Sequence, residues 1–405
     1  MGCMIEYIKG KKDFMKKLLA LLLTLALLVT ALVACGNNDN PPDNNPDQPP
    51  SGANGDSTTD GNETVGGDET TDGNETTDGN EATYSEGLVF TLSEDQSSYM
   101  LSGVGTCRDS EIIIPTTYEN RPVTVIKSYT FENCDWLTKV NIPNSIVEIE
   151  GSAFYNCPQL DKLIIPESVT KLDGGSIQNC PNAVEVQDGV TYVDKWLLRC
   201  DQTVASVAIR NNTVGIATSA FYGCEQITDI VIPNSVKYMM GNIFGECKSL
   251  KNITLSDSLT KIEERTFYFC TALETITIPD GVTTIGDSAF MDCSSLKTIT
   301  LPEGLTTIGD EAFSKCYSLE TIDMPDSVTF LGAWAFYNCT DLKNVKLSNG
   351  LKNIAEETFG CCPVLKTIYF KGTLTDWDNL EKEDTWDRDI SGCTVKCTDG
   401  DITIN

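Results

Sequence analysis

Cysteine is the residue type in this chain whose spacing first suggests chemistry. The 405 residues include 17 cysteines, and ten of these share one register in which neighbours are 23 residues apart, except for one step of 44. The ten are Cys134, Cys157, Cys180, Cys224, Cys247, Cys270, Cys293, Cys316, Cys339 and Cys362. Thiols in an exported chain could form disulfides, and elsewhere they bind zinc or act as nucleophiles. A fixed period in the twenties indicates instead a repeat whose stacked units share one core.

The residues around the cysteines favour a structural role. Each cysteine of the register follows a core position, usually phenylalanine, by three residues and precedes a leucine-type position by three. Cysteine behaves there as a small buried apolar group with a weak donor. Equivalent side chains in adjacent units point the same way, which is poor geometry for a bridge and offers no tetrahedral zinc site. We therefore predict a ladder of free, buried thiols, with disulfide pairing as the alternative.

Composition excludes several classes of function. The chain has no histidine, so histidine-based triads and zinc sites are absent. A net charge of -30 argues against nucleic acid or an anionic lipid surface as the main partner. A carboxylate-based glycosidase would need two carboxylates about 5 to 10 Å apart in a cleft, whereas repeats form regular faces. We expect no enzymatic activity, no cofactor and no metal site.

The amino-terminal segment has the pattern of an export signal. Lys16 and Lys17 precede an apolar run over residues 18–33, which is shorter than the roughly 20 residues of a membrane span. The run ends in Leu-Val-Ala-Cys at residues 32–35, which resembles the lipobox of bacterial lipoproteins. We predict a lipoprotein signal over residues 1–34 and lipid attachment at Cys35. Met15 is an alternative start, because acidic residues precede it and the basic start of a signal usually lacks them. An ordinary signal peptide with a chance cysteine is the alternative.

Residues 35–86 consist of the predicted attachment site Cys35 and a segment of very different composition. Residues 36–86 carry 13 acidic residues and no basic residue, and they are rich in Asn, Asp, Pro, Thr and Gly. A stretch with so little to bury stays disordered. We predict a flexible acidic linker that holds the folded part away from the membrane, on the outer face of a bacterial cell.

The repeating unit defines the fold class. It reads F-x-x-C-x-x-L-x-x-I-x-[IL]-P-x-x-[VL]-x-x-I-x-x-x-A, as in residues 290–312. The L-x-x-I-x-I-P part alternates as a strand, V-x-x-I is a second extended piece, and A-F-x-x-C can form one helical or 3-10 turn. We predict a repeat solenoid of about twelve such turns, here called rungs, over residues 112–370. Caps are expected at residues 87–111, as a hairpin, and at residues 371–405.

Two regions depart from the repeat. Residues 181–224 hold two modified rungs, and the first of these places Trp196 and Leu197 where phenylalanine is expected. In the carboxy-terminal cap, Cys393 and Cys397 would lie on one face of a strand. They could pair as a disulfide or remain thiols, and we favour thiols.

Outward-facing positions of the main strand are the candidate binding residues. They are mostly short and polar, which suits contact with an extended protein or glycan, although threonine also simply favours exposed strand positions. The candidates are Lys139, Asn141, Asp229, Asn252, Thr254, Thr275, Thr277, Thr298, Thr300, Thr321, Asp323, Asn344, Lys346, Thr367 and Tyr369. We predict a monomer that binds a protein or glycan on a cell or matrix surface. A spacer or envelope scaffold without a tight ligand is the alternative.

The rungs closely resemble the BspA-like leucine-rich repeat, seen clearly in residues 273–293 and 296–316. The segments GVGTCRDSEIIIP and GVTYVDKWLLRC are also similar to ones common in that family, so the resemblance covers residues 87–405. It implies a right-handed leucine-rich-repeat solenoid on a bacterial surface, in a family with adhesins toward matrix proteins, epithelial cells or other bacteria. No binding motif of the family transfers to particular residues of this chain.

Overall fold

The computed structural model describes residues 84–404, which form a solenoid of about 13 stacked turns made mostly of short strands. The predicted fold class is confirmed, with one turn more than the twelve expected. At the amino-terminal end lies a hairpin of β1 (Val89–Leu92) and β2 (Tyr99–Gly103). Strand β2 pairs in parallel with β5 (Arg121–Ile126), so the predicted hairpin is itself part of the stack.

The main strands form the first ladder. Their central residue is buried and its two neighbours face outward, because side chains alternate along a strand. These strands are β3 (Glu111–Ile113), β6 (Lys139–Asn141), β13 (Asp229–Val231), β15 (Asn252–Thr254), β17 (Thr275–Thr277), β19 (Thr298–Thr300), β21 (Thr321–Asp323), β23 (Asn344–Leu347), β25 (Thr367–Phe370) and β27 (Cys393–Lys396). Pairing is parallel with a shift of one repeat, as where Ile276 lies beside Ile299.

A second ladder is formed by short strands, each of which comes after the turn that ends a main strand. Most of its strands are two residues long, with the second residue buried, as in Thr284–Ile285. Beyond β5 they are β7 (Glu148–Ile149), β8 (Lys171–Leu172), β12 (Gly215–Ile216), β14 (Tyr238–Met239), β16 (Lys261–Ile262), β18 (Thr284–Ile285), β20 (Thr307–Ile308), β22 (Phe330–Leu331), β24 (Asn353–Ile354) and β26 (Glu381–Lys382). The two ladders enclose the core between them.

The A-F-x-x-C segments form consecutive tight turns, so the helical or 3-10 turn predicted there is wrong. Ser288 and Asp292 flank Phe290 with φ angles of 53° and 59°, in the left-handed region that a right-handed helix excludes. The Phe290 N–H donates instead to the Ala312 carbonyl of the next rung at 2.8 Å. Hydrogen bonding between rungs therefore replaces bonding within a local helix.

The core is built from ladders of identical side chains. Seven consecutive rungs stack fully buried phenylalanine rings from Phe221 to Phe359, with adjacent ring centroids 5.1–5.6 Å apart. Such offset ring pairs add about 0.5–1.5 kcal/mol each to what area burial contributes. A second stack, Phe131 on Phe154, lies before the irregular rungs. Periodic apolar residues thus form the shared interior that the repeat predicts.

The irregular rungs at residues 181–224 contain an antiparallel meander. It consists of β9 (Glu185–Gln187), β10 (Val190–Val193) and β11 (Trp196–Cys200). Strand β11 then joins the second ladder in parallel with β12, so Trp196 lies beside Gly215 and Leu197 beside Ile216. The prediction that Trp196 and Leu197 occupy the phenylalanine position is therefore wrong. Both belong to the second-strand position.

The phenylalanine position of this rung is filled by Cys200. Its N–H donates to the Ala220 carbonyl at 2.7 Å, just as the Phe221 N–H donates to the Ile243 carbonyl at 3.0 Å in the next rung. The turn between second strand and phenylalanine position is shorter here.

Additional elements close the two ends. Strand β4 (Thr117–Tyr118) pairs with β5 in the insertion of the first rung. At the other end, helix α1 (Leu374–Asn379) begins with a capping box between Thr373 and Asp376. Both ladders continue past residue 370, since β26 pairs with β24 and β27 with β25, and β28 (Asp401–Ile404) then turns back antiparallel to β27.

Candidate binding face

The outer face of the main strands is the largest surface that the sequence singled out. Of its 15 predicted residues, all but Asn344 and Thr367 are exposed, and those two are half-buried. Thirteen of them lie on the consecutive strands β13 to β25, and we call this set the strand face. Lys139 and Asn141 lie apart from it on β6, which pairs with β3 before the irregular rungs. The structure therefore brings together the residues from Asp229 onward.

Charged residues at this face are paired between rungs. Asn252 donates to the Asp229 carboxylate at 2.6 Å, and Lys346 is bonded to Asp323. The Thr228 hydroxyl, together with Asn252, lowers the pKa of Asp229. With its charges matched in this way, the centre of the face presents hydroxyl and methyl groups.

That centre is a lattice of threonines. Thr275 and Thr277 on β17 lie directly beside Thr298 and Thr300 on β19. At the flank of the same strands, Lys297 contacts Glu274 at 2.6 Å, and Lys343 contacts Glu320 at 3.0 Å. The Lys297 hydrogen bond lowers the pKa of Glu274. Ion pairs of exposed residues contribute little to stability, so their main effect here is on the charge pattern that a partner meets.

A groove opens at the first strands of the strand face. It encloses about 520 Å³ and runs along β13, β15 and β17. Besides predicted candidates it is lined by Val231, Asp257 and Pro279, which the candidate set omits. The signal for Asp257 lay in the sequence: the turn after each main strand carries an acidic residue at the same repeat position in four consecutive rungs, Asp257, Asp280, Glu303 and Asp326.

Exposed apolar residues occur in the groove and in earlier rungs. Val231 is 63% exposed on β13, and Val186 is 69% exposed on β9. Ile164 and Ile113 occupy the corresponding outward positions of earlier rungs and are also exposed. The outward position is thus apolar in several early rungs, although Asn141 holds it on β6, and is threonine in the middle of the array. The candidate set included only polar residues and Tyr369 at this face.

The ten cysteines of the repeat register lie inside the solenoid. All ten are buried free thiols. Eight of them donate to the backbone carbonyl of the phenylalanine that lies 26 residues earlier, in the preceding rung, at 2.8–3.2 Å. The exceptions are Cys134 and Cys224. Burial raises the pKa of Cys247 to about 12, and it raises the pKa of Cys270 well above the ordinary value of a thiol. A thiol held protonated in this way is a poor nucleophile and metal ligand.

The two cysteines of the carboxy-terminal cap are also thiols in the structure. Cys393 is buried in β27 and Cys397 is half-buried just after it. Burial raises the pKa of Cys393 to about 11. Within residues 84–404 no group of three potential metal ligands is close enough to hold an ion, and no helix is both long and apolar enough to cross a bilayer. The predicted signal, the attachment site Cys35 and the linker up to residue 83 lie outside the described residues.

Stacked turns, inward apolar ladders and an outward polar strand face define a leucine-rich-repeat solenoid. The model of the BspA type leucine-rich repeat region matches residues 106–200, 197–290 and 260–380 with six copies. These ranges include well over half of the chain, and the protein belongs to the BspA-type leucine-rich repeat family. Membership indicates a repeat-based binding or scaffold role in a family that is typically non-enzymatic.

Solved structures resemble the chain over most of its length. A leucine-rich repeat protein from Bacteroides ovatus is 26% identical, with 77% of this chain and 75% of that chain covered and a TM-score of 0.41. A leucine-rich cell surface protein from Faecalibacterium prausnitzii is 24% identical, with coverages of 74% and 97% and a TM-score of 0.30. The pneumococcal vaccine antigen PcpA is 18% identical, with coverages of 73% and 88% and a TM-score of 0.29. No curated protein matches the chain.

Proposed function

We propose that the protein is a non-catalytic, lipid-anchored bacterial surface protein that binds a macromolecule, a protein or glycan on a cell or matrix surface, through its strand face. The observation that carries this proposal is the strand face itself, with its groove of about 520 Å³. A row of short side chains on paired strands lets an extended ligand approach the sheet closely. Matched charges at the flanks then favour partners of complementary pattern.

Binding to a panel of matrix proteins, cell surfaces and glycans tests the proposal. We expect saturable binding of the purified chain to at least one member. Thr277→Arg with Thr300→Arg should weaken it at least tenfold, because two long cationic side chains would stand where the ligand lies. The matched control is Thr283→Arg with Thr306→Arg, two exposed threonines of the same rungs outside the strand face. Equal loss in both double variants would refute the strand face as the site.

The alternative is a spacer or scaffold without a tight ligand. It predicts no saturable binding to any member of the panel. The regularity of the ladders is compatible with that role, since a solenoid is also a stable spacer. The exposed Val231 beside the groove favours the binding role, because an apolar side chain left in water at a concave site gains from a ligand that covers it.

The lipid anchor is tested separately. Cys35→Ala removes the thiol that acylation requires, so the variant should leave the detergent phase in phase partitioning, whereas the unchanged chain stays in it. Cys397→Ala is the matched control, as a cysteine remote in sequence from the predicted signal. Detergent partitioning of Cys35→Ala equal to that of the unchanged chain would contradict lipidation at this residue.

A further inference from the structure

The shortened turn in the irregular rungs leaves Cys224 without the phenylalanine carbonyl to which eight of the ladder cysteines donate. In the next rung, the Cys247 thiol donates to the Phe221 carbonyl at 3.1 Å. The residue at the phenylalanine position of the rung before Cys224 is Cys200, the last residue of β11. The Cys224 Sγ instead lies 4.0 Å from the carbonyl oxygen of Asp201.

The same shortened turn brings a second thiol to that carbonyl. Cys200 occupies the phenylalanine position of its rung, and its Sγ lies 3.5 Å from the Asp201 oxygen. Both sulfurs therefore lie within 4.0 Å of one carbonyl oxygen. Cys200 and Cys224 also belong to one buried cluster, with Cys200 8% exposed and Cys224 completely covered. They come from different repeat positions, so the parallel orientation that keeps equivalent ladder cysteines from bridging does not apply to them.

We propose that Cys200 and Cys224 form a disulfide when the protein meets a low-molecular-weight disulfide, and that this bond ties the irregular meander to the rung that leads into the strand face. The bond would lie shortly before β13, the first strand of that face. It would close a loop over residues 201–223, of which residues 201–208 are mostly exposed. A cross-link stabilises chiefly by restricting the unfolded chain, so the irregular segment gains most.

The reaction is two thiol–disulfide exchanges. The Cys200 thiolate attacks one sulfur of the small disulfide, and the first small thiolate leaves. Cys224, as thiolate, then attacks the Cys200 sulfur of the mixed disulfide and releases the second small thiolate. The two protons of the protein thiols end on the two released thiols, and the small disulfide accepts two electrons. Cys200 is suited to the first attack because it is the more exposed of the two.

Cys157 and Cys180 are the competing pair, since the Cys157 N–H donates to the Cys180 Sγ at 3.4 Å. They differ in that each already donates to a phenylalanine carbonyl, at 2.9 and 2.8 Å. Oxidation would break both of these bonds and leave two buried carbonyls without their donors, which is unfavourable. Cys200 and Cys224 have only the longer contacts to Asp201 to lose. The structure therefore assigns the bridge to the latter pair.

Peptide mapping tests the assignment on the full chain. The folded protein is incubated with oxidised glutathione, alkylated, denatured and cleaved with trypsin without reduction. Cleavage after Arg199, Arg210 and Lys237 yields peptides 200–210 and 211–237, each with a single cysteine. We expect these two peptides to appear linked in the mass spectrum, and to separate on reduction. The alkylated single peptides should fall correspondingly.

Two variants and one competing product complete the experiment. Cys200→Ser should abolish the linked species, while Cys293→Ser, at a regular ladder position, should leave it unchanged. Mapping the unchanged chain decides the proposal even where a variant folds poorly. The proposal is overturned by the absence of the linked pair in the oxidised unchanged chain. It is equally overturned by a link between the Cys157 and Cys180 peptides, 140–162 and 172–195, in comparable amount.

Discussion

Replacing Phe290 by alanine perturbs the interior at its most regular point. The ring is fully buried and stacks on Phe267 and Phe313 with centroids 5.1 and 5.2 Å away. Phenylalanine-to-alanine changes in cores cost about 3–5 kcal/mol, and the loss of two stacked pairs, each about 0.5–1.5 kcal/mol, places this site in the upper half of that range. We therefore expect a loss of about 4–5 kcal/mol in the free energy of unfolding.

Urea denaturation followed by tryptophan fluorescence measures this loss. The matched control is Phe330→Ala, because that ring is 46% exposed on the second ladder and should cost well under half as much. A change in the slope of the transition would show that the array has split into two cooperative blocks, as nearest-neighbour coupling allows. A loss below about 1 kcal/mol for Phe290→Ala, or equal losses in both variants, would refute a core shared between rungs.

Two further predictions concern buried charge and close packing. Burial raises the pKa of Asp292 despite its 3.3 Å ion pair with Lys315, so its contribution to stability is present below the ordinary aspartate pKa of 3.8 and is lost as pH rises through the raised value. The free energy of unfolding of the unchanged chain, minus that of Asp292→Asn, should therefore fall between roughly pH 3.5 and pH 7, where an aspartate with a raised pKa titrates. A difference that stays constant or rises over this range would contradict the prediction. Gly215→Ala should cost about 1–3 kcal/mol by thermal or urea unfolding, since the added carbon would lie 2.4 Å from the Trp196 ring. Gly304→Ala, whose nearest neighbour would be 3.8 Å away, should cost far less, and equal losses would show that the contact is not the cause.

The regular part of the fold was predictable because each rung repeats the environment of the one before. Ile276 and Ile299 occupy equivalent positions, so an alternation read in one rung assigns inside and outside in all of them. The same reasoning correctly placed the threonines of β17 and β19 on the outer surface. It failed at Ser288 and Asp292, where the local pattern allows a helical turn and only bonding to the next rung decides against it.

The sequence by itself determined the repeat, the buried ladders and the outward side of each main strand, because these depend on periodicity and on the alternation of a strand. Only the tertiary structure decided the meander of β9 to β11, the exchange of register that gives Cys200 the place of phenylalanine, and the groove beside Val231. Where the spacing departs from 23 residues, the strand pairing of a rung no longer follows from that of its neighbour. Strand partners are then selected by contacts between residues far apart in the chain, which no local pattern records.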